Sequence, residues 1–190
     1  TILLFPLLVN EETGGIIAAL EVDEEKDLCG RYAYCWPRDA VTISQALDMV
    51  GMYKDADNFY NIFLRKTQSQ NGMWEQRFYT DGRLAPCWGY QIDETASVIY
   101  GVYEHYKNTK ELKFLQSNMK MCENALHFLF KYLENVFDEK EEKDLVKKEI
   151  EEQVIKEGRQ KDQIYKHVSY DLWEMNEGVH LYSLASIYGA

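Results

Sequence analysis

The 190-residue chain has no C-x-x-C pair among its four cysteines, Cys29, Cys35, Cys87 and Cys122. That removes the sequence signs of zinc ribbons and thioredoxin-like redox sites. Four cysteines are also few for a disulfide scaffold, so reduced thiols in a cytoplasmic protein are expected, with secretion as the alternative. No His/Asp/Glu spacing resembles a metal site, and neither metal nor cofactor is expected. No apolar run reaches membrane-spanning length, so no membrane partner is expected. Basic residues number 21 against 32 acidic ones, a formal net charge of −11. With no dense Lys/Arg cluster as a local exception, a nucleic-acid partner is not expected. Long period-2 alternation is missing too, which argues against α/β architectures. The first residues, Thr1-Ile2-Leu3-Leu4-Phe5, lack an initiator Met and a basic leader. The chain reads as a piece of a longer protein, so a missing signal peptide says little about its parent.

What the sequence does have is aromatic side chains, 14% of residues, including 14 Tyr and 4 Trp. These fill helical cores, or line polar clefts where each offers an apolar face and a hydrogen-bonding tip. An acidic, aromatic-rich chain suits neutral carbohydrate better than nucleic acid. The length of 190 residues fits one domain of ordinary size, and the hydrophobic share of 46% is that of a globular protein.

After an apolar start and a Gly14-Gly15 loop, helical periodicity recurs. Ile43, Ala46, Leu47 and Val50 mark a helix after Asp39, with Gly51 as its stop. Ala56, Phe59, Tyr60, Phe63 and Leu64 mark a second helix, and Ile92, Thr95, Ala96, Ile99, Tyr100 and Tyr103 a third. A longer one is expected from about Asn118 to Phe137, and a last one from near Gly178 with Leu181, Leu184, Ala185 and Tyr188 inward. Met73 to Tyr79, a turn at Asp81-Gly82, and Arg83 to Ala85 read as a small hairpin or irregular excursion whose Trp74, Glu75 and Arg77 could rim a cleft. Residues 138–163 carry dense charge of both signs around Val146, Ile150 and Val154, an exposed helical insertion. Helices that follow aromatic islands alternate with helices that follow plain loops. Stacked helical hairpins produce that order, one set inside and one outside, with the islands meeting at the N-termini of the inner set.

Three islands carry the chemistry. In the first, Tyr32-Ala33-Tyr34-Cys35-Trp36-Pro37-Arg38-Asp39, the fixed donors of Arg38 beside the acceptors of Asp39 suit vicinal sugar hydroxyls. The plainer reading is a structural ion pair with Asp39 as helix N-cap. In the second, Trp88-Gly89 leaves an indole face open for stacking, while Gln91 and Asp93 are candidate hydroxyl partners; Asp93 and Glu94 also suit a first helical turn. In the third, Tyr170-Asp171-Leu172-Trp173-Glu174, two carboxylates flank an indole. An indole beside Glu174 would desolvate its carboxyl and favour the protonated form, as an acid catalyst needs. The plainer reading of this segment puts Trp173 in the core and Glu174 at a solvated helix start. Glu177 competes for that role but is read as a helix cap. His180, His105 and His127 read as ordinary helix histidines.

Together these islands resemble glycoside hydrolase family 15, the glucoamylase family, in its bacterial and archaeal branch. The stretch Glu11-Glu12-Thr13-Gly14-Gly15-Ile16-Ile17-Ala18-Ala19 resembles that branch as well, and only residues 138–163 fall outside the likeness. The resemblance implies an all-α (α/α)6 toroid, of which this chain would supply about half the helices, and an inverting exo-acting α-glucosidase. By motif match, Glu174 is the general acid. Arg38 and Asp39 would grip the terminal glucose, Tyr32 and Trp36 border it, Trp88 stack on sugar, and Gln91, Asp171 and Trp173 complete the surroundings. The expected partners are an α-glucan or α-glucoside and the rest of the parent catalytic domain.

Inversion needs a second carboxylate, roughly 6.5–9.5 Å from the first, to activate water. In the family that base lies in the later part of the toroid, so the chain alone is expected to be inactive. The family often has a second carboxylate directly after the acid, where this chain has Met175. That departure keeps trehalase and α-1,6-glucan glucohydrolase as alternatives, beside a non-catalytic glycan-binding or regulatory module.

Overall fold

The computed structural model describes residues 2–21, 32–87, 89–137 and 169–190. Two expectations therefore lie outside the described residues: the stacking role of Trp88 and the charged insertion at 138–163. A short helix α1 (Phe5–Leu8) precedes the first island. Helix α2 (Pro37–Met49) follows, then α3 (Tyr53–Asn58), which runs through a π-helical stretch Phe59–Leu64 into α4 (Arg65–Thr67). After the excursion come α5 (Ile92–Thr109) and α6 (Leu112–Phe137). An antiparallel pair, β1 (Ser169–Tyr170) and β2 (Glu177–Gly178), then leads into α7 (Leu181–Gly189).

Local chemistry sets these boundaries. Pro37 opens α2, where its fixed φ suits the first helical position and its missing N–H costs nothing. Gly51, at φ +80°, ends it, donating its N–H to the Asp48 carbonyl at 3.0 Å. Helix α2 thus starts two residues before Asp39, which sits in its first turn and is not its N-cap. Helix α6 begins six residues earlier than Asn118, at Leu112, because Lys110 turns the chain in the left-handed region. The excursion closes as expected, with Phe78 bridged to both Cys35 and Leu84 and Gly82 at φ +85°. Trp74 does not rim a cleft. It is fully buried and donates its indole N–H to the Leu64 carbonyl at 3.0 Å.

Helix α5 packs between α2 and α7, while α3 with its π stretch and α6 lie behind them. The island-led helices thus form one layer and the plain-loop helices the other. The core between the layers is built on Leu47, Phe59, Phe63, Leu64, Ile92 and Leu129. Helix α7 turns differently from expectation: Ser183 is buried and Leu184 and Ile187 pack on the core, while Leu181 and Tyr188 are exposed. Glu177 pairs with Tyr170 in the hairpin and so lies ahead of α7, whose N-cap position is His180. Among the described residues, no helix is long and apolar enough to cross a membrane. Among the described residues, Cys35, Cys87 and Cys122 form no disulfide.

At the C-terminal ends of α2 and α5, buried His105 bridges two acids. Its Nδ1 lies 2.8 Å from Asp48 Oδ1 and its Nε2 3.2 Å from Asp57 Oδ1. The Phe114 ring packs edge-on at 4.5 Å. Burial alone would lower the His105 pKa, but Asp48 and then Asp57 outweigh it and raise it. A raised folded pKa gives stability that is complete below the ordinary histidine value and lost as pH rises through the folded one. Urea midpoints should therefore fall from about pH 6 upward. Asp48→Asn should lower the midpoint at low pH and flatten that slope.

Candidate active site

The N-terminal ends of α2 and α5 meet over one guanidinium. Arg38 donates from Nη1 to Asp93 Oδ2 at 2.6 Å and from Nη2 to Asp39 Oδ2 at 3.1 Å. Its Nη1 also lies 3.1 Å from Glu94 Oε1. Asp93 and Glu94 are fully buried, whereas the Asp39 side chain is 41% exposed. Burial drives the Glu94 carboxyl well above the usual carboxylate range; Arg38 opposes this and Asp93 reinforces it. Burial disfavours the Arg38 charge, yet Glu94, Asp93 and Asp39 more than compensate and hold it protonated. From α7, Tyr182 feels the same cluster electrostatically: burial followed by Asp93 raises its pKa.

The third island forms the loop of the β1–β2 hairpin. Asp171 closes it from both sides: its backbone N–H donates to the Asn176 carbonyl at 2.9 Å, and its carboxylate accepts from the Met175 N–H at 2.9 Å and Asn176 Nδ2 at 2.8 Å. The Asn176 and Met175 hydrogen bonds keep the Asp171 pKa below its ordinary value. Glu174 follows a turn in which its N–H donates to the Asp171 carbonyl at 3.0 Å, and it sits at φ +61°. A non-glycine residue in that region costs roughly 1–2 kcal/mol and calls for a functional explanation.

The hairpin docks on both other islands. Gln91 Nε2 donates to the Asp171 carbonyl at 2.5 Å, and the Tyr170 N–H donates to the Tyr90 carbonyl at 3.1 Å. Gly89 leaves room for the Tyr170 ring, which a Cβ there would overlap. Across the site, the Trp36 indole Nε1 donates to Glu174 Oε1 at 3.0 Å. Trp36 itself is wedged among Tyr32, Tyr34 and the Arg77 guanidinium, which lies 5.4 Å from its ring centre.

Of the residues singled out in the sequence, Arg38, Asp39, Trp36, Tyr32, Gln91, Asp171 and Glu174 thus fall into one connected region. Three placements differ from expectation. The indole that touches Glu174 is Trp36, not its neighbour Trp173, whose side chain is 78% exposed. Gln91 is fully buried and its Nε2 is committed to the hairpin, while its Oε1 meets no hydrogen-bond partner among the described residues. Asp93 likewise faces Arg38 inside the protein. The sequence reading missed Glu94 as a partner of Arg38 and Tyr182 as a neighbour of the cluster. The Asp93-Glu94 pair at a helix start, matched with an Arg-Asp pair at another, was the available signal. Among the described residues, no group of His, Cys, Asp and Glu is arranged to hold a metal ion.

Comparison with known proteins bears on the fold. A wild-type glycosidase structure superposes with a TM-score of 0.64 over 97% of this chain and 45% of its own, at 16% identity. The glucoamylase of Saccharomycopsis fibuligera matches with the same TM-score and identity, over 97% of this chain and 39% of its own. The fold is that of a partial glucoamylase-like (α/α)6 toroid. A related glycosidase variant, solved in complex with glucose, gives a TM-score of 0.61 at 17% identity, over 98% of this chain and 45% of its own. In sequence, the chain is 33% identical over 125 residues to a Methanocaldococcus jannaschii protein described as an uncharacterized glycosyl hydrolase. That match covers 65% of this chain and 19% of the relative, so the chain spans about a fifth of the relative's length. No protein-family model matches. The likeness seen in the three islands is thus carried by glucoamylase-like glycosidases in structure and by a glycosyl hydrolase in sequence.

Two stability measurements probe the toroid's site. Gly89→Ala should cost about 1–3 kcal/mol through overpacking and speed amide exchange at Tyr170. In a Trp36→Phe background, where the indole hydrogen bond is gone, Glu174→Gly should raise unfolding stability by up to about 1 kcal/mol.

Proposed function

We propose that the protein to which this chain belongs is a glycoside hydrolase that releases glucose from the non-reducing ends of α-glucans with inversion. The observation that carries this reading is Glu174, held in a left-handed conformation with Oε1 against the Trp36 indole, on the face where Arg38 and Asp39 meet. Strained residues held by their surroundings cluster at functional sites, and a hydrogen-bonded loop that fixes Glu174 suits a positioned proton donor. The carbohydrate chemistry of the relatives supports the same substrate class.

In this mechanism Glu174 protonates the glycosidic oxygen as the bond to the leaving sugar breaks. Asp39, the exposed member of the charge cluster, accepts hydrogen bonds from terminal glucose hydroxyls, and Arg38 holds it there. Tyr32 and Trp36 wall the innermost subsite, the exposed Trp173 offers a further stacking face, and Trp88 is assigned to sugar stacking from its motif alone. Asp171 and Gln91 act through the hairpin backbone. A carboxylate outside this chain activates the water on the opposite ring face, so this chain alone should turn over little or no substrate.

A second reading keeps the site but changes the substrate to trehalose or an α-1,6-glucan. It rests on Met175, an exposed thioether beside the acid where a charge would otherwise meet the next sugar. A substrate panel on the complete protein separates the two, and a protein that hydrolyses none of them is a silent binding module. In the complete protein, Glu174→Gln should lower turnover of α-glucans by about 10²–10⁴-fold. The loss should be much smaller for glucosyl fluoride, whose leaving group needs no proton. Wild-type turnover in Glu174→Gln would remove the acid assignment.

A further inference from the structure

Glu94 makes a contact that the proposed mechanism does not use. Its Oε2 accepts the backbone N–H of Arg38, at 2.7 Å, from a different helix. That N–H belongs to the first turn of α2, where helix N–H groups lack intrahelical partners. Trp36, at the N-cap position, offers no side-chain cap, and Pro37 has no N–H to give. Glu94 therefore caps α2 from α5. The residues it fixes are consecutive with the site: Trp36, whose indole holds Glu174, and Arg38 and Asp39. Glu94 itself is fully buried, so it cannot reach a sugar.

We infer that Glu94 is a positioning residue: by capping α2 in trans it aligns the Trp36 indole with Glu174 and the Arg38–Asp39 pair with the innermost subsite. This rests on the hydrolase reading for its effect on activity, but the cap itself does not. Burying a carboxylate against one shared guanidinium is unfavourable unless its oxygens are used, and here Oε2 takes the Arg38 N–H while Oε1 lies 3.1 Å from Arg38 Nη1. A glutamine at this position would keep an oxygen for the Arg38 N–H and relieve the buried charge, whereas alanine would leave the N–H bare.

The test uses Glu94→Ala and Glu94→Gln, read in two ways. In this chain, amide exchange of Arg38 should speed at least tenfold in Glu94→Ala and stay near wild type in Glu94→Gln, with distant α6 amides unchanged. In the complete enzyme, Glu94→Ala should lower kcat about tenfold or more and raise KM, both being largely recovered in Glu94→Gln. Unchanged Arg38 exchange in folded Glu94→Ala overturns the cap. A lost cap with unchanged kcat and KM overturns the positioning role. If Glu94→Ala does not fold, Glu94→Gln decides alone: rapid Arg38 exchange in a folded Gln variant sinks the proposal, and slow exchange with retained activity upholds it. Should the wild-type complete protein hydrolyse no α-glucoside, the hydrolase reading fails while the exchange result still judges the cap.

Discussion

One guanidinium between two buried carboxylates governs how the described helices come together. Asp93 and Glu94 are shut away from water at the start of α5, and Arg38 at the start of α2 is their shared cation. Neither helix can bring its charges inside without the other, because an uncompensated buried charge costs several kcal/mol. The ion cluster therefore specifies which helix ends are neighbours, while the apolar core between the layers supplies most of the cohesion. It also leaves Asp39 as the member facing out, with its direction set from within.

The hairpin is a second layer of construction resting on the first. It contributes little apolar area of its own and is placed by backbone contacts to Tyr90 and Gln91, by the Tyr170 ring over Gly89, and by the Trp36 indole. Its loop is ordered mainly by Asp171, a half-buried residue whose side-chain hydrogen bonds are all local. The proton donor of the proposed mechanism thus sits on a small strained element, carried by rigid helices that tolerate the strain.

Much of this was legible in the sequence, for identifiable reasons. Helices α2, α5 and α6 show apolar spacing near 3.6 residues, and Pro37 and Gly51 punctuate α2, so their existence and order could be read directly. The convergence of the islands followed from their alternation with plain loops. What could not be read was direction. Periodicity gives a stripe on α7 but not which neighbour it meets, and Ser183 is buried while Leu181 and Tyr188 are not. Proximity along the chain made Trp173 the natural partner of Glu174, yet a tight turn throws adjacent side chains apart and brings Trp36 from the far end of the chain. Gln91 looked like a ligand-facing amide because an amide reads the same whether it meets a sugar hydroxyl or a backbone carbonyl.

The clasp of His105 with Asp48 and Asp57 gains a different meaning when set against the Arg38 cluster. Helices α2 and α5 are fastened to each other twice, once near each end, by charges of defined pairing. On α5 the two fastening points, Glu94 and His105, are eleven positions apart, about 16 Å and close to three whole turns. Both therefore project from the same side of the helix. A single residue added or removed between them would swing one fastening point by about 100° relative to the other. The stretch between them acts as a fixed gauge, and the lengths that can vary without unfastening the pair lie in the loops.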